Sequence, residues 1–594
     1  MEQFMHPLEP RRLFDAGFLD TQFNQTGTAI TDFRGVRESA QAVLPMADGR
    51  VVVVGGYRVG DNVANDWDGF ALLRHNADGT FDTTFGAGGA VRARGPSGLD
   101  ITVSDAVLQP DGKIVVLGSG SRRTPSGSTP SGLVLARFNA DGSFDTSFGT
   151  GGVLETNRIE TLDGTGGLTL LPTGQVLVGG VVRSQEDGQQ YTQIATARFT
   201  ANGTFDEAYG TLGVATLERQ AGNFTVVSLL WSSTSATTVV AQGRGLDVAL
   251  IGKFLANGTP VEAFGDDGQF LLDDAPSIPI DAALSLEGDV ILVGGSPDSA
   301  FRIAKLTDGD TLDLAFGADG DNNGYIDVPF SGPAFASSVV VQSDGKIVVA
   351  GRRTRTDTNP DDNRFALTRL NADGSVDGTW GDFGKTAVHM GANTYDEAYD
   401  VAVGADGGIY AVGASVPLNG NSFGPSRMAV ARFWRTEAPQ AFTGPRTVTK
   451  PGATGINFSV VYRDDGLVNQ ATLNNADIQI LAPDGVLTYK ARFLGAIPQL
   501  GGGVWIANYR LAAPGGSFDA ADNGVYRIKL RSNQVADTEG NFAVGRTLGT
   551  IIVNIAGASP VMAGAFSSTR VRATDSHLFD TTSIEDEADP ELLA

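Results

Sequence analysis

A unit of about 60 residues recurs along most of this chain, and that repeat limits its fold more than any other feature. Each unit opens on two apolar runs around a glycine turn. Copies read AVLPMADGRVVVVGG (42–56), AVLQPDGKIVVLGSG (106–120), LTLLPTGQVLVGG (168–180), LSLEGDVILVGG (284–295), VVVQSDGKIVVAG (339–351) and VAVGADGGIYAVG (401–413). Apolar runs flanking x-Gly form a hairpin pattern. The second run is apolar on both faces, as in Ile114-Val115-Val116-Leu117, so it reads as a strand buried on both sides. A third strand and turn follow, as in LARFNADG (135–142). Then come Asp-x-x-aromatic-Gly and a short fourth strand: FDTTFGAGG (81–89), FDTSFGTGG (144–152), FDEAYGTLG (205–213). A degenerate copy at 222–243 keeps the apolar runs without the glycine turn. Four strands per unit at this period point to propeller blades rather than solenoid coils or a string of sandwiches.

The phase of the repeat supplies the closure. Six full units run from about 38 to 390, and a seventh begins near 395 but stops after three strands. The missing piece stands at the other end of the chain, as FLDTQFNQTGTAIT (18–31). Paired into the last unit, it closes the ring and removes the open edges that would invite aggregation. The expected fold is therefore all-β: a seven-bladed β-propeller over 18–436, closed by an N-terminal strand.

Several positions share one register. Strand three carries Arg74, Arg137, Arg198, Lys253, Lys305, Arg369 and Arg432. The following motif carries Asp82, Asp145, Asp206, Asp313 and Asp377, with Asp20 serving the last blade and Val261 standing in the fourth unit. Repetition favours structural pairs within a blade over a ring of cations around an anionic ligand, and it places Arg432 beside Asp20. The aromatics Phe23, Phe85, Phe148, Tyr209, Phe264, Phe316 and Trp380 are expected in the core between blades. His75 takes a core-like slot, and His6, His389 and His577 show no ligand spacing.

The hairpin-NADG-FDxxFG unit resembles the delta-60 repeat family of bacterial β-propellers, which implies a propeller in a surface or secreted setting and no established reaction. The segment LEPRRLFDAG (8–17) resembles the Leu-Glu-Pro-Arg signature of large exported bacterial repeat proteins, with Phe14 where a second leucine is common. Residues 1–17 are accordingly expected to be a targeting-type segment.

One insertion breaks the repeat. The fifth unit reads FGADGDNNGYIDV where its siblings read FGTGGV. It sets oxygen side chains at Asp319, Asp321, Asn323 and Asp327, with Gly324 for the sharp turn and the Tyr325 carbonyl as a further donor. Alternate oxygens converging on one hard cation point to calcium. Phe330 stands where an EF-hand needs its bidentate Glu, and the flanks are strands. The loop resembles the D-x-D-x-D-G-x-x-D hairpin loops of integrin propellers.

Residues 440–556 alternate in short strands (INFSVVYRD, ADIQILAP, VWIANYRL, GVYRIKLRS, TIIVNI), which predicts an immunoglobulin-like β-sandwich. This part resembles Ig-like or cadherin-like modules of bacterial surface proteins. RDDG (Asp464, Asp465) and VADTEGN (Asp537, Glu539) offer a second, weaker calcium pattern. Residues 557–594 are rich in Ser, Thr and acids and read as a disordered acidic tail.

The chain of 594 residues carries 43 basic and 68 acidic side chains, a formal net charge of -25. That balance disfavours nonspecific nucleic-acid binding, which needs a basic face. No cysteine is present, so disulfides, thiolate chemistry and Cys-based zinc sites are excluded. No apolar run is long enough to span a membrane, and the N-terminus lacks the apolar core of a signal peptide. These readings converge on a secreted or cell-surface, noncatalytic binding or adhesion scaffold. It is expected to be monomeric, to bind an extracellular protein or glycan, and to hold one calcium in the fifth blade. The alternatives are a propeller enzyme acting on glycans (a glycosidase or lyase) through central-pocket carboxylates, and a structural component of the cell envelope.

Overall fold

The computed structural model describes residues 17–555, except 34, 36, 59–67, 97–98, 125–126, 162–165, 233–235, 244–247, 274–278, 297–298, 308–309, 318–322, 356–361, 379, 420–421, 434–438, 465–467, 500–503, 533, 539–541 and 544. The leader-like segment up to residue 16 and the acidic tail therefore lie outside the described residues. Among those described, the regular structure is strand, with only short 3-10 turns between.

Each apolar run becomes a strand because its alternation, glycine turn and β-branched content agree. In the first sheet, Arg37–Pro45, Val51–Arg58, Asp68–His75 and Ala90–Ala93 lie side by side, antiparallel. Val51 to Val54 are all buried, as expected of a run that is apolar on both faces. The pattern recurs in six further sheets. Their innermost strands are Leu99–Leu108, Leu168–Leu170, Phe224–Trp231, Pro279–Leu284, Ala334–Val341 and Thr394–Val403. Each innermost strand packs against the next, and Thr394–Val403 packs back on Arg37–Pro45. The shared aromatics fill the spaces between sheets: Phe23, Phe85, Phe148 and Trp380 are all fully buried.

The seventh sheet takes its fourth strand from the start of the chain. Thr28–Thr31 pairs antiparallel with Arg427–Phe433, Thr28 opposite Ala431. The Asp20 N–H donates to the Arg432 carbonyl at 2.8 Å, and the Arg432 N–H donates to the Gly27 carbonyl at 2.9 Å. Within one unit, Asp82, Arg74 and Gly89 make the same two bonds, both at 2.9 Å. The expected ion pair is present: Arg432 Nη1 lies 2.5 Å from Asp20 Oδ2, and the Asp20 side chain is fully buried. Arg432 also pairs with the more exposed Asp406.

The seam extends on both sides of that strand. In several units the turn glycine after the third strand sits in left-handed backbone against the aromatic of the preceding sheet; Gly142 (φ +87°) faces the Phe85 ring, Gly203 (φ +81°) the Phe148 ring and Gly374 (φ +86°) the Phe316 ring. Gly17 (φ +76°) takes that place against Trp380, where a Cβ would lie 2.6 Å from the Gly381 nitrogen. On the other side the Asn24 N–H donates to the Asp78 carbonyl, as Gly86 does to Asp141 in the next junction. The piece of repeat at the N-terminus thus begins with the turn at Gly17, one residue before the boundary read from the sequence.

Residues 440–555 form two further sheets. Gln440–Phe442, Gly455–Arg463, Val504–Ala512 and Arg492–Gln499 make one. Arg446–Val448, Thr547–Val553, Gly524–Leu530, Ile478–Leu481 and Thr488–Lys490 make the other. They share one core, in which Phe458, Val460, Ile480, Ile528 and Ile551 are buried. One polar chain crosses it: Tyr462 and Tyr509 touch through their hydroxyls at 3.1 Å, and Tyr509 donates to Asp477 at 2.7 Å. Burial pushes Asp477 up to about 6.

Removing a buried partner strands a charge, whereas an exposed pair contributes little. Asp20→Ala should therefore cost about 3 kcal/mol in urea unfolding. Asp48→Ala, whose side chain is 51% exposed beside Arg50, should cost less than about 1 kcal/mol. Deleting residues 18–31 should lower the thermal midpoint by more than either. A deletion that melts with the full-length chain would show that the strand holds nothing.

Candidate functional site

Six of the seven innermost strands carry a β-bulge at one register. The ladder skips a residue between Ala40 and Ala42, Val103 and Asp105, Val226 and Ser228, Pro279 and Asp281, Ala336 and Ser338, and Ala398 and Asp400. A bulge bends its strand and re-aims the side chains around it. Here it turns them toward a cavity of about 460 Å³ whose lining includes Asp105, Ser228, Asp281, Ser338, Glu397 and Asp400.

The three aspartates are bonded alike. One oxygen accepts the N–H of the following residue: Ala106 at 2.7 Å, Ala282 at 2.8 Å, Val401 at 2.7 Å. The other accepts an N–H from the next sheet: Asp105 from Leu168 at 2.9 Å, Asp281 from Val339 at 3.0 Å, Asp400 from Val43 at 2.7 Å. The last bond joins the seventh sheet to the first. Ser228 does the same work with a hydroxyl, donating to the Ala282 carbonyl at 3.1 Å. At the third position Gly167 lies so close to the fourth sheet that a Cβ would meet the Leu229 nitrogen at 2.4 Å.

These carboxyls line the cavity, where each residue is half-buried, and desolvation by the surrounding protein governs their titration. Burial pushes Asp400 up to about 7, opposed by the Val43 N–H and reinforced by the charge of Asp281. Burial pushes Asp281 up to about 6. Asp105 is raised well above the carboxylate range by burial and then by Asp400.

A second group flanks the cavity at the junction of the sixth and seventh sheets. Arg352 reaches across from the sixth sheet to Glu397 at 2.9 Å and the Tyr395 hydroxyl at 3.2 Å. The Tyr399 hydroxyl lies 3.4 Å from Glu397. Burial raises Glu397 and Tyr399, and Arg352 opposes the shift of both. The positions matching Arg352 in other units are Gly56, Ser119, Val181, Gln242, Gly295 and Ala414, none of them charged, so this group is no part of the repeat.

The basic register of strand three is structural. Arg74 Nε donates to Asp82 at 2.8 Å and Nη1 to the Ala140 carbonyl of the next unit at 2.5 Å. Arg137 does the same with Asp145 and Ala201, and Arg198 with Asp206 and Ala256. Each guanidinium also lies over its unit's aromatic ring, 4.6 Å away for Arg74 on Phe85. Burial alone would raise Asp82, but hydrogen bonds from Thr84 and Arg50 and the charge of Arg74 hold it well below the carboxylate range. In the fourth unit, which has Val261, Lys253 lies over the Phe264 ring at 4.5 Å. His75 is buried and stacks on Phe81, with centroids 4.8 Å apart.

Of the proposed calcium ligands, Asp319 and Asp321 lie outside the described residues. Asn323 Oδ1 accepts the Tyr325 N–H at 2.7 Å, folding the loop back on itself. Gly324 is left-handed (φ +78°), and a Cβ there would strike Leu312 at 2.5 Å. Tyr325 and Asp327 stand on the strand Tyr325–Val328, and both Asp327 oxygens accept from Arg302, at 2.7 and 2.6 Å. Among the described residues no three acidic or histidine side chains gather in a metal-binding group. In the second acidic pattern Asp464 and Asp537 are buried, while Asp465 and Glu539 lie outside the described residues.

Asp105, Asp281 and Asp400 escaped the sequence reading. Their signal was available: each stands seven residues before its turn glycine, at Gly112, Gly288 and Gly407. Ala42 and Gly167 hold that register in other units, so it does not look like a motif.

The family model described as "Domain of unknown function (DUF5122) beta-propeller" matches residues 47–85, 109–148 and 342–379. No curated protein matches the chain. Similar solved structures include a PQQ-bound aldose sugar dehydrogenase from Streptomyces coelicolor, at 12% identity and TM-score 0.28 over 68% of this chain and 98% of that one. The polysaccharide lyase Uly1 gives 11% identity and TM-score 0.35 over 71% and 97%. Prolyl oligopeptidase B from Galerina marginata gives 10% and 0.36 over 73% and 56%. Scores this low say nothing of activity. With its strand content and the family model together, the chain is an all-β protein built on β-propeller repeats.

Proposed function

We propose that residues 18–436 form a seven-bladed propeller and residues 440–556 an Ig-like sandwich, and that the protein is a noncatalytic binding scaffold, secreted or held at the cell surface. Residues 1–17 are its targeting segment and residues 557–594 its acidic tail. One observation carries the reading: the repeated ionisable groups, and the cavity aspartates with them, are bonded to the backbone of neighbouring sheets. They assemble the ring, which leaves recognition to the loops and rims. The ligand class is an extracellular protein or glycan. A glycan array and a pull-down with the full-length chain test this; a retained partner is expected. Absence of any partner, with the chain abundant in the envelope, would favour a structural component instead.

Calcium belongs to the same proposal. Asp319, Asp321, Asn323 and Asp327 would hold it with the Tyr325 carbonyl. Asp327 would bridge the ion and Arg302, since a carboxylate has about four lone-pair directions. Calcium should raise the thermal midpoint of the wild type and leave that of Asp321→Ala unchanged. Equal shifts in both would exclude the site.

The group at Arg352, Glu397 and Tyr399 supports a second reading, a glycosidase or lyase working from the cavity, because it breaks the repeat and sets Glu397 and Tyr399 in the cavity lining. On that reading, glycans bound on the array would be turned over, and Glu397→Gln and Tyr399→Phe would each abolish turnover without unfolding the chain. Unchanged turnover in both variants would reject it.

A further inference from the structure

Ser338 stands between two carboxyls. Its Oγ lies 3.0 Å from Asp281 Oδ2 and 3.0 Å from Asp400 Oδ1. A serine hydroxyl carries one proton, so it can donate to only one of them. If both carboxyls were ionised, the other contact would set a hydroxyl lone pair against a carboxylate lone pair at hydrogen-bond distance. The backbone cannot relieve this, because each of the four carboxylate oxygens already accepts an N–H. One more proton completes the geometry. A protonated carboxyl then donates to Ser338 Oγ, and Ser338 donates to the other carboxylate.

We propose that Asp281 and Asp400 share one proton through Ser338, and that this proton clasps the fifth, sixth and seventh sheets together beside the seam. Asp400 belongs to the clasp with one oxygen and to the seam with the other, through the Val43 N–H. Losing the proton sets two negative charges on either side of one hydroxyl and drives the fifth and seventh sheets apart.

Among the described residues the surroundings supply no counter-charge that bonds either carboxyl. From the second sheet the clasp faces Asp105, a third carboxyl. From the fourth it faces Ser228, and from the first the Val43 N–H and the amide of Gln41. On its own strand Asp400 has Glu397, already paired with Arg352 from the sixth sheet, and Tyr399. Burial pushes both aspartates toward neutrality, to about 6 for Asp281 and about 7 for Asp400, in line with the geometry. The sign follows from linkage. Folded-state values raised above the unfolded value of 3.8 stabilise the protein fully below 3.8, and that contribution is lost progressively until pH has risen through about 6 to about 7.

Infrared pH-difference spectra of the full-length chain test the clasp, read together with thermal midpoints between about pH 5 and about pH 8. Wild type should show a carboxylic-acid C=O band that disappears in this window. Asp281→Ala and Asp400→Ala should each lose that part of the band, because the remaining carboxyl ionises at lower pH without its neighbour. Each variant's midpoint should fall less than that of wild type as pH rises. A wild type without a titrating band in the window overturns the proposal, whether or not the variants fold. So do folded variants whose band and midpoint slope match those of wild type.

Discussion

The structure depends on the antiparallel contact between Thr28–Thr31 and Arg427–Phe433. In a cycle of sheets each member is held by two neighbours, so a gap at any junction exposes two edges and two half-filled aromatic interfaces. Six of the sheets draw all four main strands from one continuous stretch. The seventh draws one strand from the other end of the chain, and three kinds of contact secure it. Backbone pairing sets the register, the Asp20–Arg432 pair fills the polar slot, and Gly17 and Asn24 reproduce the turn contacts on either side.

Two rings of aspartates show how environment decides the chemistry of one side chain. Asp82 and Asp145 meet guanidinium, ammonium and hydroxyl donors, and their carboxyls stay ionised far into acid. Asp105, Asp281 and Asp400 meet backbone N–H groups, hydroxyls and each other, with no cation among the groups that bond them, and burial drives them toward the neutral form. Both rings join one sheet to the next. The first does so through the arginine paired with each aspartate, whose Nη1 donates to a carbonyl of the next unit, and the second through a carboxyl oxygen that accepts an N–H from the next sheet.

The fold was legible because its signal was redundant. Six copies of one turn and one aromatic register leave little freedom, and the truncated seventh copy at residues 395–433 could only be completed by residues 18–31. The same redundancy identified Arg432 as the partner of Asp20 across 412 positions. The cavity was much less legible. Asp105, Asp281 and Asp400 occupy a register where other units have Ala42, Gly167, Ser228 and Ser338, and a bulge is invisible to a period-2 reading. The Arg352–Glu397 pair was equally hidden, since it joins side chains of two sheets whose facing is set only by assembly. The pairing of the C-terminal strands follows no repeat, so their alternation revealed strands without their order.

The seam also has a kinetic side. Thr28 finds Ala431 only after some 400 intervening residues have been made, and contacts of such separation are slow to form because their loop entropy must be met first. The six complete units hold nearest-neighbour contacts and can form in succession behind the ribosome. Meanwhile residues 17–31 carry a strand with no partner. For most of synthesis that strand is an open edge able to pair with the corresponding gap in another chain. An exchange of this one strand between two molecules would keep every local contact of the ring, so the closure that joins the two ends of one chain is also the contact through which two chains could be joined.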